Sequence, residues 1–306
     1  GMKILPKTEK SSSEKLDTMG ALLFTLTIVS LFSSIILGQN NGYTHPAIIA
    51  GFLIAVPAAA AFILLEVRTE TPLLQLNIFK NLLFSLSILC GYISFVAIFC
   101  SNIIQPFYLQ DVMKLSPGTT GLIMMTYPLV LVAVAPVSGH LSDKIGSEIL
   151  TFFGLMLTSA GLFLMSTLNE HSAISSMVAF IAVMSIGNGL FQSPNNSLIM
   201  STVKPGLLGI AGSVNGLIRN LGMVSGIALS TTLLFNRMSR MLGYKVMDYV
   251  EGREDVFIYA MRFVYITAGI ICAVGAIMTA LRLYRKRLIV IYNKFYEIYA
   301  KKQSDK

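Results

Sequence analysis

Eight long apolar runs, none holding more than one charged residue, dictate what this chain can become. They are Met19–Leu37, Ala47–Leu65, Phe84–Ile104, Gly121–Val137, Ile149–Ser166, Ala173–Ser193 with an extension beyond it, Leu208–Phe235 and Phe257–Leu281. A helix needs about 20 apolar residues to cross the hydrocarbon core of a bilayer. Inside lipid the backbone must satisfy its own hydrogen bonds, which a helix does within one segment. Only 12% of the residues are charged, against roughly a quarter in a soluble domain, so polar side chains cannot cover the apolar surface. The expected fold is an all-α integral membrane protein with eight transmembrane helices.

The loops set the orientation. With the N-terminus inside, the inner segments hold Lys3, Lys7, Lys10, Lys15, Arg68, Lys80, Lys144 and Lys204, and the C-terminal tail adds eight more basic residues from Arg282 to Lys306. The outer loops hold Lys114, Arg237, Arg240, Lys245 and Arg253. The bias is about three to one in favour of cytoplasmic termini. The net charge of +8 is therefore explained by the inner membrane face, and nucleic acid is not an expected partner. The opening seventeen residues read as a polar, lysine-rich cytoplasmic segment, not a secretory signal. Residues 18–65 form a two-helix unit and 66–80 a polar linker containing Pro72. Residues 81–282 supply six consecutive spans, and 283–306 form a tail. Leu288, Ile291, Tyr292, Phe295, Ile298 and Tyr299 recur there at helical spacing among basic residues. An amphipathic helix on the anionic inner leaflet and a solvated, frayed tail both fit that pattern.

One polar island, Gly139-His140-Leu141-Ser142-Asp143-Lys144-Ile145-Gly146, separates two of the apolar runs. It is too short to cross a bilayer, so it reads as a loop joining two antiparallel helices, with Asp143 placed favourably near a helix N-terminus. These residues resemble the G-x-L-(A/S)-D-(R/K)-x-G loop of the major facilitator superfamily, in its fourteen-helix drug:proton antiporter branch (EmrB/QacA-like). That loop joins the second and third helices of each six-helix half, which is its place here. Further resemblances follow in the same order. They are Leu16-Asp17-Thr18-Met19-Gly20, Glu66-Val67-Arg68 with Pro72-Leu73-Leu74 and Ile78-Phe79, Pro106-Phe107-Tyr108-Leu109-Gln110 with Ser116-Pro117 and Gly121, and Gly209-Ile210-Ala211-Gly212-Ser213 with Asn215, Arg219, Asn220, Leu221 and Gly222. Together they correspond to spans seven to fourteen of that branch.

The resemblance implies a secondary transporter that exports hydrophobic or cationic compounds by alternating access, driven by proton antiport. It implies a cell-membrane location and two inverted three-helix repeats within the six-helix C-terminal bundle. It also implies that a six-helix N-terminal half is supplied elsewhere, with this chain a fragment, a truncated product or one half of a split transporter. The rival readings are a transport-incompetent fragment or accessory subunit, and a polytopic membrane enzyme, against which the lack of embedded carboxylates, histidines and cysteine clusters in the sequence argues, so no enzyme is expected. The expected partners are the lipid bilayer, a small-molecule substrate and the missing half or partner chain. In this reading Gly139, Asp143, Lys144 and Gly146 gate the cytoplasmic side, clasping a helix of the half that is absent.

Ionisable groups inside a bilayer are functional candidates because they are costly to bury. No Asp or Glu falls within the eight cores; Glu66, Asp111, Asp143, Glu148 and Asp255 stand at ends or in loops. A proton-coupling carboxylate is therefore expected in the missing half. Arg219 is the one clearly embedded charge. Helical spacing puts Gly212, Asn215, Gly216, Arg219, Gly222 and Gly226 on one broad face, and its two GxxxG pairs allow close helix packing. That face reads either as a packing surface, with Arg219 holding neighbouring carbonyls, or as part of a substrate site. Asn188, Gln192, Asn195 and Asn196 form a matching polar stripe, which either lines a wet cavity with Asn215 and Arg219 or makes interhelical hydrogen bonds. Tyr127 with Pro128, and Asn102 with Gln105, are further cavity candidates, although Pro128 reads rather as a kink and Asn102 rather as an outer-interface residue. Tyr43, Tyr108, Tyr244, Tyr259 and Tyr284 read as interfacial aromatics, and Cys90, Cys100 and Cys272 as small hydrophobes. The sixteen methionines read mostly as core filling. His45, His140 and His171 fall in loops without ligand spacing, there is no phosphate-loop motif, and neither metal nor cofactor is expected.

Overall fold

The computed structural model describes residues 17–42, 44–69 and 75–304, with side chains described outside 39–41 and 285–304. The opening segment, the middle of the linker and Tyr43 lie outside the described residues, and the expected apolar face of the tail falls on side chains that are not described. The elements are α1 (Thr18–Asn41), α2 (Pro46–Arg68), α3 (Leu82–Phe107), α4 (Pro117–Met124), α5 (Thr126–Ile145), α6 (Ser147–Met165), α7 (Ile174–Ser201), α8 (Leu208–Leu242) and α9 (Glu254–Ser304). Eight spans result, because α4 and α5 are two pieces of one crossing. The described residues contain no strand.

The chain divides into two compact units, Gly1–Ile78 and Phe79–Lys306. In the first, α1 and α2 form a hairpin. Asp17 Oδ1 accepts the Gly20 N–H at 2.8 Å and so caps α1, while His45 Nδ1 accepts the Ala47 N–H at 3.3 Å at the start of α2. The hairpin closes through the tilted ring pair Phe24–Phe62, 5.3 Å between centroids. Glu66, read from sequence as an end residue, is 3% exposed in the last turn of α2.

In the second unit, close contacts between small residues fix the order of the helices. A Cβ on Gly154 of α6 would lie 2.6 Å from the Phe191 nitrogen, and one on Gly161 would lie 2.8 Å from the Met184 nitrogen, so α6 and α7 run antiparallel at minimal separation. Gly222 and Gly226 bring α8 parallel to α3, where a Cβ on Gly226 would meet the Val96 carbonyl oxygen at 2.5 Å. Ser159 donates to the Gly269 carbonyl at 2.8 Å and joins α6 to α9. The buried core lies among α3, α6, α7 and α9, while Leu129, Val132 and Val137 of α5 stay exposed. Lipid tails are as apolar as leucine, so contact of this kind and interhelical hydrogen bonds hold such a bundle together.

Prolines lie next to the irregular turns of two spans. Pro128 has no N–H to give the Met124 carbonyl, and the helix breaks one turn earlier, at Met125, to restart as α5. Pro106 is followed by a wider π-type turn, Tyr108–Val112, that carries the chain out of α3. Tyr108 is not an interfacial aromatic. It is 1% exposed and its hydroxyl donates to the Asn169 carbonyl at 2.7 Å. Gln105 also lies inside, 1% exposed, where it donates to Ser101 Oγ at 2.8 Å. Beyond α8, the ring of Tyr249 sits under the Lys114 ammonium at 5.3 Å and edge-on to Phe257 at 5.8 Å, anchoring the α8–α9 connection.

Candidate functional site

Seven polar residues nominated by sequence separate into two layers. The inner layer is closed. Asn188 of α7 is 2% exposed; its Nδ2 donates to the Tyr127 hydroxyl at 2.5 Å, and its Oδ1 accepts from Ser94 Oγ at 3.3 Å. Ser185 Oγ donates to the Tyr127 carbonyl at 2.6 Å. One amide thereby ties α3, α5 and α7 together at the level where α5 restarts. Two turns on, Asn195 Nδ2 donates to the Ser87 carbonyl at 3.1 Å, while its buried Oδ1 has no hydrogen-bond partner. Gly91 makes room for this amide, since a Cβ there would come within 3.4 Å of Nδ2.

The outer layer is open. Asn215 Nδ2 of α8 donates to Asn196 Oδ1 of α7 at 2.9 Å across an exposed surface. Gln192 is half-buried one turn from Asn196. Arg219 lies one turn beyond Asn215 and is exposed, as is Asn220. It stands eleven residues past the start of α8 at Leu208, about 16 Å along the helix. A guanidinium at such depth faces a water-filled cavity or another protein surface in preference to hydrocarbon. Three nominated amides, Gln192, Asn196 and Asn215, and one cation on this surface offer donors, acceptors and positive charge.

The polar island is not a loop. Gly139 to Ile145 continue α5, and Gly146 alone makes the turn, at φ +93°, a conformation that favours glycine. The Gly146 N–H donates to the Ser142 carbonyl at 2.9 Å, and the hydroxyls of Ser142 and Ser147 meet at 2.6 Å. Asp143 and Lys144 are exposed. Asp143 lies in the last turn of α5, so its expected place at a helix N-terminus is corrected; the acid in the first turn of α6 is Glu148. His140 is helical for the same reason.

Sequence reasoning missed the most buried cation among the described residues. Arg282 was counted with the basic tail, yet it is 9% exposed within α9. Its Nη1 donates to Ser87 Oγ and its Nη2 to Thr151 Oγ1, each at 3.1 Å. Its Nε is buried without a hydrogen-bond partner. Glu148, 8% exposed, lies close enough for its charge to act on the guanidinium. The Ser87 carbonyl meanwhile takes the Asn195 amide, so α3, α6, α7 and α9 are joined at the end of the bundle that carries Gly146. The signal available in sequence was weak: Arg282 directly follows an apolar span, and Glu148 directly precedes one.

The four nominated packing glycines also divide. Gly222 and Gly226 lie against α3, whereas a Cβ on Gly216 would meet nothing within 4 Å and one on Gly212 would meet only the Met200 methyl, at 3.7 Å. Gly154, Gly161 and Gly187, not singled out from sequence, form the α6–α7 contact.

Six spanning helices around buried amides, with a polar and cationic face left open on one side, define a polytopic helical membrane protein. The Major Facilitator Superfamily model matches residues 87–288, and the chain belongs to that superfamily. It is 30% identical over 284 residues to the riboflavin transporter RibZ of Clostridioides difficile (strain 630), covering 91% of this chain and 59% of that protein. It is 32% identical over 229 residues to the uncharacterized transporter YebQ of Escherichia coli (strain K12), covering 75% and 50%. It is 27% identical over 229 residues to the multidrug resistance protein Stp of Mycobacterium tuberculosis (strain ATCC 25618 / H37Rv), covering 74% and 42%. The chain spans about half the length of the curated relatives it matches. It is a multi-pass membrane protein of a transporter family.

Proposed function

We propose that this chain forms the C-terminal part of a secondary active exporter of hydrophobic or cationic compounds, of the fourteen-helix antiporter branch, in the cell membrane. Both termini are cytoplasmic in this reading, and the Gly146 end of the bundle faces inward. The observation that carries it is the open face of α7 and α8, where Gln192, Asn196, Asn215 and Arg219 lie within spans yet remain at least partly uncovered. Such groups are supported at depth only by water or by protein. A second six-helix half supplies the opposite wall, and substrate sits between. Tyr127, Asn188 and Asn195 hold the scaffold behind that wall. Gly139, Asp143, Lys144 and Gly146 form the turn that meets the other half when the inner side closes. The multidrug resistance protein Stp supports efflux as the activity. The riboflavin transporter RibZ supports a second reading, in which the cargo is a flat, polar-edged ring system.

Proton antiport requires a carboxylate that can titrate at depth. Among the described residues, the buried carboxylates Glu66 and Glu148 both lie in terminal turns, not at the middle of a span. The coupling group is therefore assigned to the other half. Everted vesicles test this. With both halves present, an imposed proton gradient drives dye uptake; with this chain alone it drives none. Robust uptake by this chain alone would overturn the assignment, and proton-driven riboflavin movement without dye movement would favour the second reading.

A further inference from the structure

Between α6 and α9 the surface holds a groove of about 510 Å³, lined by Phe152, Met156, Ala276, Ile277, Ala280 and Tyr284 among others. Of the two hydroxyls on its lining, that of Ser159 is already committed, since its Oγ donates to the Gly269 carbonyl, and that of Tyr284 stands at the groove's end. The groove is therefore chemically apolar. Its long wall follows α9 from Ala273 to Tyr284. Eleven residues of helix cover about 16 Å, half of a hydrocarbon core about 30 Å thick. It starts near the middle of the span and stops at Tyr284, which is 65% exposed. A tyrosine there has its ring in the apolar zone and its hydroxyl at the headgroup level. The helix continues without a break, and its next turn carries Arg285, Lys286 and Arg287.

We infer that this groove is a binding site for an anionic phospholipid of the leaflet on the Gly146 side. One acyl chain lies in the groove, from mid-membrane to Tyr284, and the phosphate lies at the basic turn that follows. Length, apolar lining and charge agree. The groove is one leaflet deep, it accepts only hydrocarbon along that depth, and positive charge is concentrated where the headgroup layer begins. Clusters of basic residues at a span's end attract anionic lipid through the surface potential of the leaflet. The inference rests on the chain being a multi-pass membrane protein and holds whether or not it transports anything.

The chain has no tryptophan, so a single one serves as a reporter. Ile277→Trp places it in the groove, and Val132→Trp places it on the exposed surface of α5. Each full-length variant is reconstituted in phosphatidylcholine containing a small fraction of acyl-brominated phosphatidylglycerol or acyl-brominated phosphatidylcholine. In the groove variant the anionic lipid should quench fluorescence at least about twofold more than the zwitterionic lipid at equal fraction, as local enrichment by a basic cluster requires. Adding the triple change Arg285→Gln, Lys286→Gln and Arg287→Gln should abolish that preference. In the α5 variant the two lipids should quench alike. Equal quenching by both lipids in the groove variant would show only bulk lipid there and overturn the proposal. Absence of quenching by either would also overturn it, because the groove would then be covered by protein.

Discussion

At the scale of single residues, two arginines have fates opposite to what their sequence surroundings suggest. Arg282 is enclosed by hydroxyls and by the charge of Glu148, whereas Arg219 is exposed on α8. Removing one member of a buried charge set leaves the other uncompensated, which costs about 3–5 kcal/mol. Arg282→Met should therefore lower the thermal unfolding midpoint in detergent sharply, and adding Glu148→Gln should recover most of the loss. A single variant as stable as the parent would show that the guanidinium does not hold α3, α6 and α9 together. Arg219→Ala truncates an exposed side chain and should leave the midpoint nearly unchanged while abolishing transport by the assembled protein. Arg262→Ala is the comparison. Its exposed side chain makes one bond, from Nε to the Ser166 carbonyl at 3.1 Å, and transport should survive its loss. Equal tolerance of both changes would remove any special role for Arg219. Neither fate was legible beforehand. The sequence shows that Arg282 borders a span, but whether Ser87 and Thr151 face it depends on how three distant helices pack.

Helices and their contacts were more legible, for a physical reason. A run of about 20 apolar residues has no stable alternative to a membrane helix, so all eight spans were visible. Their ends were less so, because a helix continues into polar sequence wherever its backbone remains satisfied. That is why Gly139–Ile145 stay in α5 and only Gly146 turns. The GxxxG spacing was also an incomplete guide. It marked Gly212, Gly216, Gly222 and Gly226 alike, but a motif does not say which partner arrives. Substitution by alanine separates them. Gly154→Ala and Gly226→Ala must push backbone away at 2.6 and 2.5 Å, so α6–α7 or α3–α8 must part, with lower yield and a lower unfolding midpoint. Gly216→Ala meets open space and gains helix propensity of up to about 1 kcal/mol, so its midpoint should hold or rise. A drop at Gly216 as large as that at Gly154 would mean that α8 is covered by a surface the six helices do not provide.

For the whole molecule, the distribution of buried polar groups is the informative quantity. Asn188, Tyr127, Ser94 and Ser185 satisfy one another inside the bundle, and Arg282 with Ser87 and Thr151 fastens its Gly146 end. A bundle cross-linked at mid-depth and at one end is suited to move as one body, as the proposed rocking against a second half would require. Interhelical hydrogen bonds in membranes are worth only about 0.6 kcal/mol on average and about 1.7 at most. Asn188→Leu should therefore cost little stability by itself. Its effect should fall on motion, since Tyr127 lies near the start of α5, just past the break at Met125. Loss of the amide frees the restart of α5 to shift against α7 and α3. Cysteine-based distance measurements between α5 and α7 in the assembled transporter should then broaden, with slower transport and an unchanged substrate preference. A changed substrate preference would instead place Asn188 in the cavity wall, on the same side of the bundle as Asn196 and Asn215. A narrow distance distribution with normal transport would show that the α6–α7 glycine contact suffices to keep the body rigid.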